Sequence, residues 1–233
     1  MTEKHLSSQF DSDLNSVSSK LMEMGGLVEA QIKRAIDSLT NFSASEIDEV
    51  IATEARVDQM EVDIDRALTT VVARRQPAAR DLRLLLAISK ITTNLERVGD
   101  EAHKIGKRVK SIVESGQARQ MPIGDLRIAS DLAASLIHRA LDAFARLDVA
   151  AAIAIYREDD QIDREFKGFV RKLVTYMMED PRTISSSLDL LFIAKAIERI
   201  GDHAKNISEF IIYIVHGTDV RHSKLKGIEA IVQ

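Results

Sequence analysis

The sequence predicts an all-α fold, built as two tandem antiparallel three-helix bundles related by an internal pseudo-two-fold. Three observations predict it. The 233 residues include only 3 prolines and 10 glycines, too little punctuation for the many turns of a sandwich or barrel. Apolar residues recur at spacings of three and four almost throughout, the period of a helix with one buried stripe. A pair of acidic motifs also appears twice in the same order, as a duplicated unit requires.

The elements follow in order. Leu6, Phe10, Leu14, Val17, Leu21, Met24, Val28, Ile32, Ile36 and Leu39 form one stripe on a first helix, broken at Thr40-Asn41-Phe42-Ser43. Ser43 with Glu46 reads as a capping box that opens a second helix. That helix carries Val50, Val57, Met60, Ile64, Leu68 and Val71 and stops near Pro77. A third starts near Ala78 and turns Leu82, Leu85, Ile88, Leu95, Val98, Ala102, Ile105, Val109 and Ile112 inward. The stretch from Ser115-Gly116-Gln117 to Met121-Pro122-Ile123-Gly124 is the most loop-like inside the chain. Leu126 to Leu147 gives a fourth helix, Ile153 to Met177 a fifth that ends at Asp180-Pro181, and Leu188 to Val215 a sixth. All three prolines fall at breaks, where a fixed φ and a missing donor are tolerated. The expected division is a first repeat over 1–116, a second over 117–217, and a C-terminal tail over 218–233 with no assigned helix.

The duplication is visible residue by residue. Glu96-Arg97-Val98-Gly99-Asp100 matches Glu198-Arg199-Ile200-Gly201-Asp202 at a shift of 102 residues. Glu54-Ala55-Arg56-Val57-Asp58 matches Asp159-Asp160-Gln161-Ile162-Asp163 at a shift of 105. Each unit therefore holds two acid-x-x-x-acid pairs: Glu54/Asp58 with Glu96/Asp100, and Asp159/Asp163 with Glu198/Asp202. Residues four apart share a helix face, so two antiparallel neighbours could bring four carboxylates together. Such a cluster is costly unless a cation holds it, and oxygen-only ligands suit hard or borderline ions. An acidic stripe is equally what a solvated helix face looks like. Glu61 and Asp65 extend the first stripe. Gly99 and Gly201 precede the second acid in each unit and bear the helix cost of glycine, roughly 1 kcal/mol. Close helix packing and room for a bound ion or partner are the two explanations.

Other classes are excluded or weakened. With no cysteine there is no disulfide, thiolate metal site or cysteine nucleophile. A net charge of -4 and few aromatics argue against nucleic-acid binding. Met1-Thr2-Glu3-Lys4-His5 lacks the apolar core of a signal peptide, and no apolar run approaches the roughly 20 residues that span a bilayer. The expected location is the cytoplasm. Arg74, Arg75, Arg80 and Arg83 surround the second turn, where they complement helix ends or contact an acidic partner or an anion. Lys104, Lys107, Arg108 and Lys110 allow the same readings. Asp100-x-x-His103 has ligand-like spacing, but Lys205 stands at the equivalent position of the second unit. No Glu-x-x-His pair, phosphate-binding glycine loop, Gly-x-Ser-x-Gly or HExxH occurs, so catalysis has no visible seat.

On Met24-Gly25-Gly26, the Pro77-Ala78-Ala79-Arg80-Asp81-Leu82-Arg83 turn and the paired Glu-Arg-Val/Ile-Gly-Asp motifs, the chain resembles the PhoU family. The resemblance implies two symmetry-related three-helix bundles at the cytoplasmic side of the membrane, held there by partners. It implies that the ATPase subunit of a phosphate ABC transporter is brought to a phosphate-sensing histidine kinase. Uptake is then limited, and the starvation response held off, while phosphate is plentiful. It also implies a homodimer, no enzymatic activity, and metal ions (iron, zinc, manganese or magnesium) on Glu54, Asp58, Glu96, Asp100, Asp159, Asp163, Glu198 and Asp202. Phe166 stands at the shifted position of Glu61, and Asn206 replaces Lys104, so the two sites need not be equal. An oxidase or storage protein with a carboxylate-bridged metal is the competing class, weakened by the missing Glu-x-x-His pairs. An adaptor for another anion transporter is a third.

Overall fold

The computed structural model describes residues 8–116, 122–221, 223 and 225–232. Met1 to His5, Leu6 of the first stripe and the loop residues from Gln117 to Met121 lie outside them. Six long helices account for most of the rest: α1 (Ser8–Asn41), α2 (Ala44–Arg75), α3 (Ala79–Glu114), α4 (Arg127–Arg146), α5 (Val149–Glu179) and α6 (Ile184–His216). Single 3-10 turns precede α4 (Ile123–Leu126) and α6 (Pro181–Thr183). No strand occurs among the described residues.

The stripes read from the sequence are the buried faces, except toward the two ends of α6, where Leu188 shares an outward face with Ile184 and Phe192 and Val215 lies exposed in the last turn. Leu14, Val17, Leu21, Met24, Val28, Ile32 and Leu39 of α1 are buried, as are Val50, Val57, Ile64, Leu68 and Val71 of α2. Helices α1, α2 and α3 pack on one another, and α4, α5 and α6 do the same. The two groups meet along α3 and α6, whose interface is the most extensive in the molecule. These two run antiparallel along their length. Arg83 lies against Gly217 at one end, Arg199 donates to Glu101 at 3.2 Å in the middle, and Arg108 and Ser111 both donate to Asp189 toward the other. On the opposite side of the molecule α1 meets α4, where His138 pairs with Glu29 at 2.9 Å.

Turn chemistry differs from the expectation at several points. The Ser43/Glu46 capping box does not form, since the Ser43 side chain caps no helix N–H. Asn41 takes its place: its side-chain oxygen accepts from the Ser43 N–H at 3.0 Å while its amide donates to Glu46. The Asn41 amide carries its acceptor oxygen and donor nitrogen on separate atoms, so it reaches the Ser43 N–H and the Glu46 carboxylate at once. Gln76 and Leu147 end α2 and α4 in the left-handed region at φ 48° and 52°. Composition gives no warning of this, because glycine is the usual occupant there. The region after Gly217 also departs from the expectation. Leu225–Val232 forms a short helix, α7, packed on α5. Val220 and Ile228 are buried, and Tyr156 donates to the Ser223 carbonyl at 3.1 Å.

Candidate functional site

Two carboxylate faces lie on one side of the molecule, one between α2 and α3 and the other between α5 and α6. Glycine brings each pair of helices close. A Cβ on Gly99 would stand 3.2 Å from Val57 Cγ1 and from Gln31 Oε1, and one on Gly201 would stand 2.6 Å from Ile162 Cδ1. Close packing therefore explains both glycines, and the same approach sets the acids on adjacent helices across from one another.

On the first face Glu54, Asp58 and Glu61 of α2 oppose Glu96 and Asp100 of α3. Burial, followed by the adjacent Asp100 carboxyl and by repulsion from Asp58, holds the Glu54 carboxyl above its usual range. Burial, followed by repulsion from Asp100, Glu61 and Asp58, pushes Glu96 up to about 7. Thr93 donates to Glu61 at 3.1 Å. His103 is buried, with Nδ1 against Glu54 and the Ile51 carbonyl. Burial, followed by repulsion from Lys107, lowers its pKa. Five carboxylates thus face one another, with Lys107 and Arg97 near enough to pull on Glu54 and Glu96 through space.

The second face is different. Lys195 Nζ donates to both oxygens of Glu198 at 2.5 Å. Lys205 Nζ donates to Asp159 at 3.0 Å, and Asp159 is only 3% exposed. Both ammonium groups also lie over aromatic rings, Lys195 over Phe166 at 5.4 Å and Lys205 over Tyr156 at 4.7 Å. Burial raises Asp159, against the pull of Lys205. Burial also raises Asp202 to about 6, with repulsion from Glu198 and Asp159 adding to it. Asp163 and Asp202 are the two acids of this face that hold no lysine.

The expected convergence of four carboxylates per unit is therefore incomplete. Among the described residues no three Asp, Glu or His side chains already stand as a metal ligand set. The first face has the donor chemistry of a hard-cation site, with oxygens in excess and their mutual repulsion only partly offset by Lys107 and Arg97. The second does not, because two ammonium groups already lie on its carboxylates.

The arginines at the second turn do not act as one patch. Arg75 pairs with Asp13 of α1 at 2.8 Å, and Arg83 lies against Gly217 with its Nε buried and unbonded. Arg74 and Arg80 are exposed. Of the cations near the end of α3, Lys104 pairs with Glu101 at 2.9 Å, Arg108 with Asp189, and Lys110 with Asp48 at 2.9 Å. Sequence reasoning missed the two lysines of the second face. The signal was present: Lys195 lies three residues before Glu198, Lys205 three after Asp202, and the 102-residue shift places Thr93 and His103 opposite them. It also missed the cavity of about 670 Å³ over α3 and α6, lined by Arg97, Lys104, Arg199, Asp100, Asp202 and the buried Glu209.

The fold and its two acidic faces define a paired three-helix-bundle protein built around a central antiparallel helix pair. The PhoU domain matches residues 21–109 and 126–211, and the chain belongs to the PhoU family. A relative from Burkholderia sp, named phosphate-specific transport system accessory protein PhoU homolog, is 52% identical over 223 residues, 95% of each chain. The Escherichia coli (strain K12) phosphate-specific transport system accessory protein PhoU is 46% identical over 94% of this chain and 90% of its own. Among solved structures, PhoU from Pseudomonas aeruginosa superposes with a TM-score of 0.87 at 42% identity, covering 90% of this chain and 100% of that one. The Streptococcus pneumoniae phosphate transport system regulatory protein PhoU gives 0.84 at 25% identity, covering 91% and 99%.

Proposed function

We propose that this protein is an accessory regulator of phosphate-specific transport, working as a scaffold rather than as an enzyme. In this reading it is a cytoplasmic adaptor between the ATPase subunit of a phosphate ABC transporter and a phosphate-sensing histidine kinase. It limits uptake and holds the starvation response off when phosphate is abundant. The observation that carries the reading is the family match across both halves of the chain, with relatives of comparable length named for that transport system. The surface is suited to protein contact. Ile184, Leu188 and Phe192 form an exposed apolar strip on α6, which a second copy in a homodimer or a partner would cover. Arg74 and Arg80 are available to an acidic partner surface. No helix among the described residues is long and apolar enough to cross a membrane, so membrane association would come through partners.

The repeats over 1–116 and 117–217 carry the two faces. At the first, Glu54, Asp58, Glu96 and Asp100, with Glu61 beside them, would hold iron, zinc, manganese or magnesium after side-chain rotation. The ion would supply the positive charge this face still lacks.

The test is a phosphatase reporter of phosphate-starvation genes in phosphate-rich medium, with the gene deleted and then restored. The reporter is expected to switch on without the protein and off with it. A reporter silent in both strains would contradict the regulator reading.

A further inference from the structure

The two carboxylate faces occupy matching places in the two halves, yet only one carries its own counter-ions. Lys195 reaches both oxygens of Glu198 and Lys205 reaches Asp159. At the matching places of the first half stand Thr93, which bonds Glu61, and His103, which lies on Glu54 and Ile51. Phe166 stands where the first half has Glu61, and its ring packs under Lys195. The second half therefore has one carboxylate fewer and two ammonium groups bonded to its acids, whereas Lys107 and Arg97 act on Glu54 and Glu96 of the first face through space alone.

We propose that Lys195 and Lys205 are built-in cations that close the second carboxylate face to metal ions, so that cation binding belongs to the first half alone. A lysine ammonium is a compact point charge with three donors and can sit where a small cation would. A divalent ion that took Glu198 or Asp159 as a ligand would have to expel an ammonium, and without them this face offers it only the carboxylates of Asp163 and Asp202. Asp159 is almost wholly buried, and water cannot replace the lost partner without opening the α5–α6 contact. Both lysines are also held from the side by aromatic rings, an attraction that water would screen if they swung outward. The matching places on the first face hold no lysine: Thr93 bonds Glu61, and His103 lies on Glu54 and the Ile51 carbonyl. On this account the two halves differ in function. The first responds to a cation, and the second is held permanently in the neutralised arrangement.

The statement about the first half rests on the cation reading given above; the statement about the second does not. The experiment uses the full chain, stripped with chelator, titrated with Mn²⁺ and checked for bound metal by elemental analysis and for helicity by circular dichroism. Glu198→Gln/Asp202→Asn is expected to change Mn²⁺ affinity by less than about twofold, whereas Glu96→Gln/Asp100→Asn weakens it by roughly tenfold or more. Lys195→Met/Lys205→Met is expected to gain Mn²⁺ binding that Glu198→Gln/Asp202→Asn then removes. Should the double lysine variant fail to fold, Lys195→Met alone, in which the Asp159 pair is kept, must show the gain. Loss of bound Mn²⁺ on Glu198→Gln/Asp202→Asn in the otherwise native chain would overturn the proposal, as would folded lysine variants that gain no metal. Unchanged Mn²⁺ binding in Glu96→Gln/Asp100→Asn would instead remove the first-half cation reading.

Discussion

The α2–α3 face and the α5–α6 face descend from one repeated pattern and solve the same electrostatic problem in two ways. Facing carboxylates cannot all stay ionised in a partly buried groove without compensation. The first face answers by holding protons more tightly, at Glu54 above the usual carboxylate range and at Glu96 pushed up to about 7. The second answers with lysines on Glu198 and Asp159. A proton can be exchanged for a metal ion at modest cost, whereas a lysine anchored by its own backbone cannot leave. Two side-chain differences, at Thr93/Lys195 and His103/Lys205, thus decide which half is open to solution chemistry.

The comparison is broken most sharply at Lys205. Lys205→Met leaves Asp159 buried without its partner and is expected to cost about 2–3 kcal/mol, below the full range for a buried pair because the lysine is partly exposed. Urea unfolding of the chelated protein reads this, and an unchanged midpoint would show that the pair contributes nothing. Gly201→Ala comes next. Its Cβ would meet Ile162 at 2.6 Å, so overpacking of about 1–3 kcal/mol outweighs a helix-propensity gain of up to about 1 kcal/mol. Gly99→Ala, at 3.2 Å from its nearest neighbours, should be close to neutral. Equal effects at the two glycines would mean the helix pairs are equally tight.

Converting one face into the other sharpens the comparison further. Thr93→Lys/His103→Lys gives the first face the cations of the second and is expected to lower Mn²⁺ affinity by roughly tenfold or more. Retained affinity would show that lysines at these places do not exclude the ion.

The smallest expected effect is on pH dependence. Glu96 has a folded pKa raised from 4.5 to about 7, so the folded state binds this proton more tightly than the unfolded one. Its contribution is fully present below 4.5 and is lost as pH rises through about 7. His203 acts in the opposite direction. Burial lowers it from 6.5 to about 4, so stability falls as pH drops through that window. Above 6.5 the histidine no longer contributes, and the slope belongs to Glu96 and to Glu209, also raised to about 7 by burial. Thermal unfolding of the chelated protein should therefore show stability falling as pH rises past 6.5, with Glu96→Gln flattening the decline. Saturating Mn²⁺ should act in the same direction, because the ion replaces the proton.

The helices and the duplication were legible because they rest on periodicity. The stripes of α1 to α6 are the buried faces except at Leu188 and Val215, and the two glycine-acid motifs lie where the helix pairs approach. The nine acids of the two faces, Glu61 among them, were legible too, since spacings of three and four fix their side of the helix. What neutralises them was not. Lys195 and Lys205 look like ordinary surface cations until α5 is placed beside α6 and Asp159 comes within reach. Asn41 likewise displaced Ser43 as the capping group, a choice set by the geometry of a two-residue turn. The helix α7 escaped notice because eight residues give too short a stripe, and its burial depends on the flank of α5.

The most direct test of the two-face account is anomalous diffraction from crystals of the full chain grown with Mn²⁺. The account predicts density between α2 and α3, beside Glu96 and Asp100, and none between α5 and α6, where Lys195 and Lys205 remain on their carboxylates. Equal peaks at both faces, or a peak at Glu198 and Asp202 alone, would contradict it.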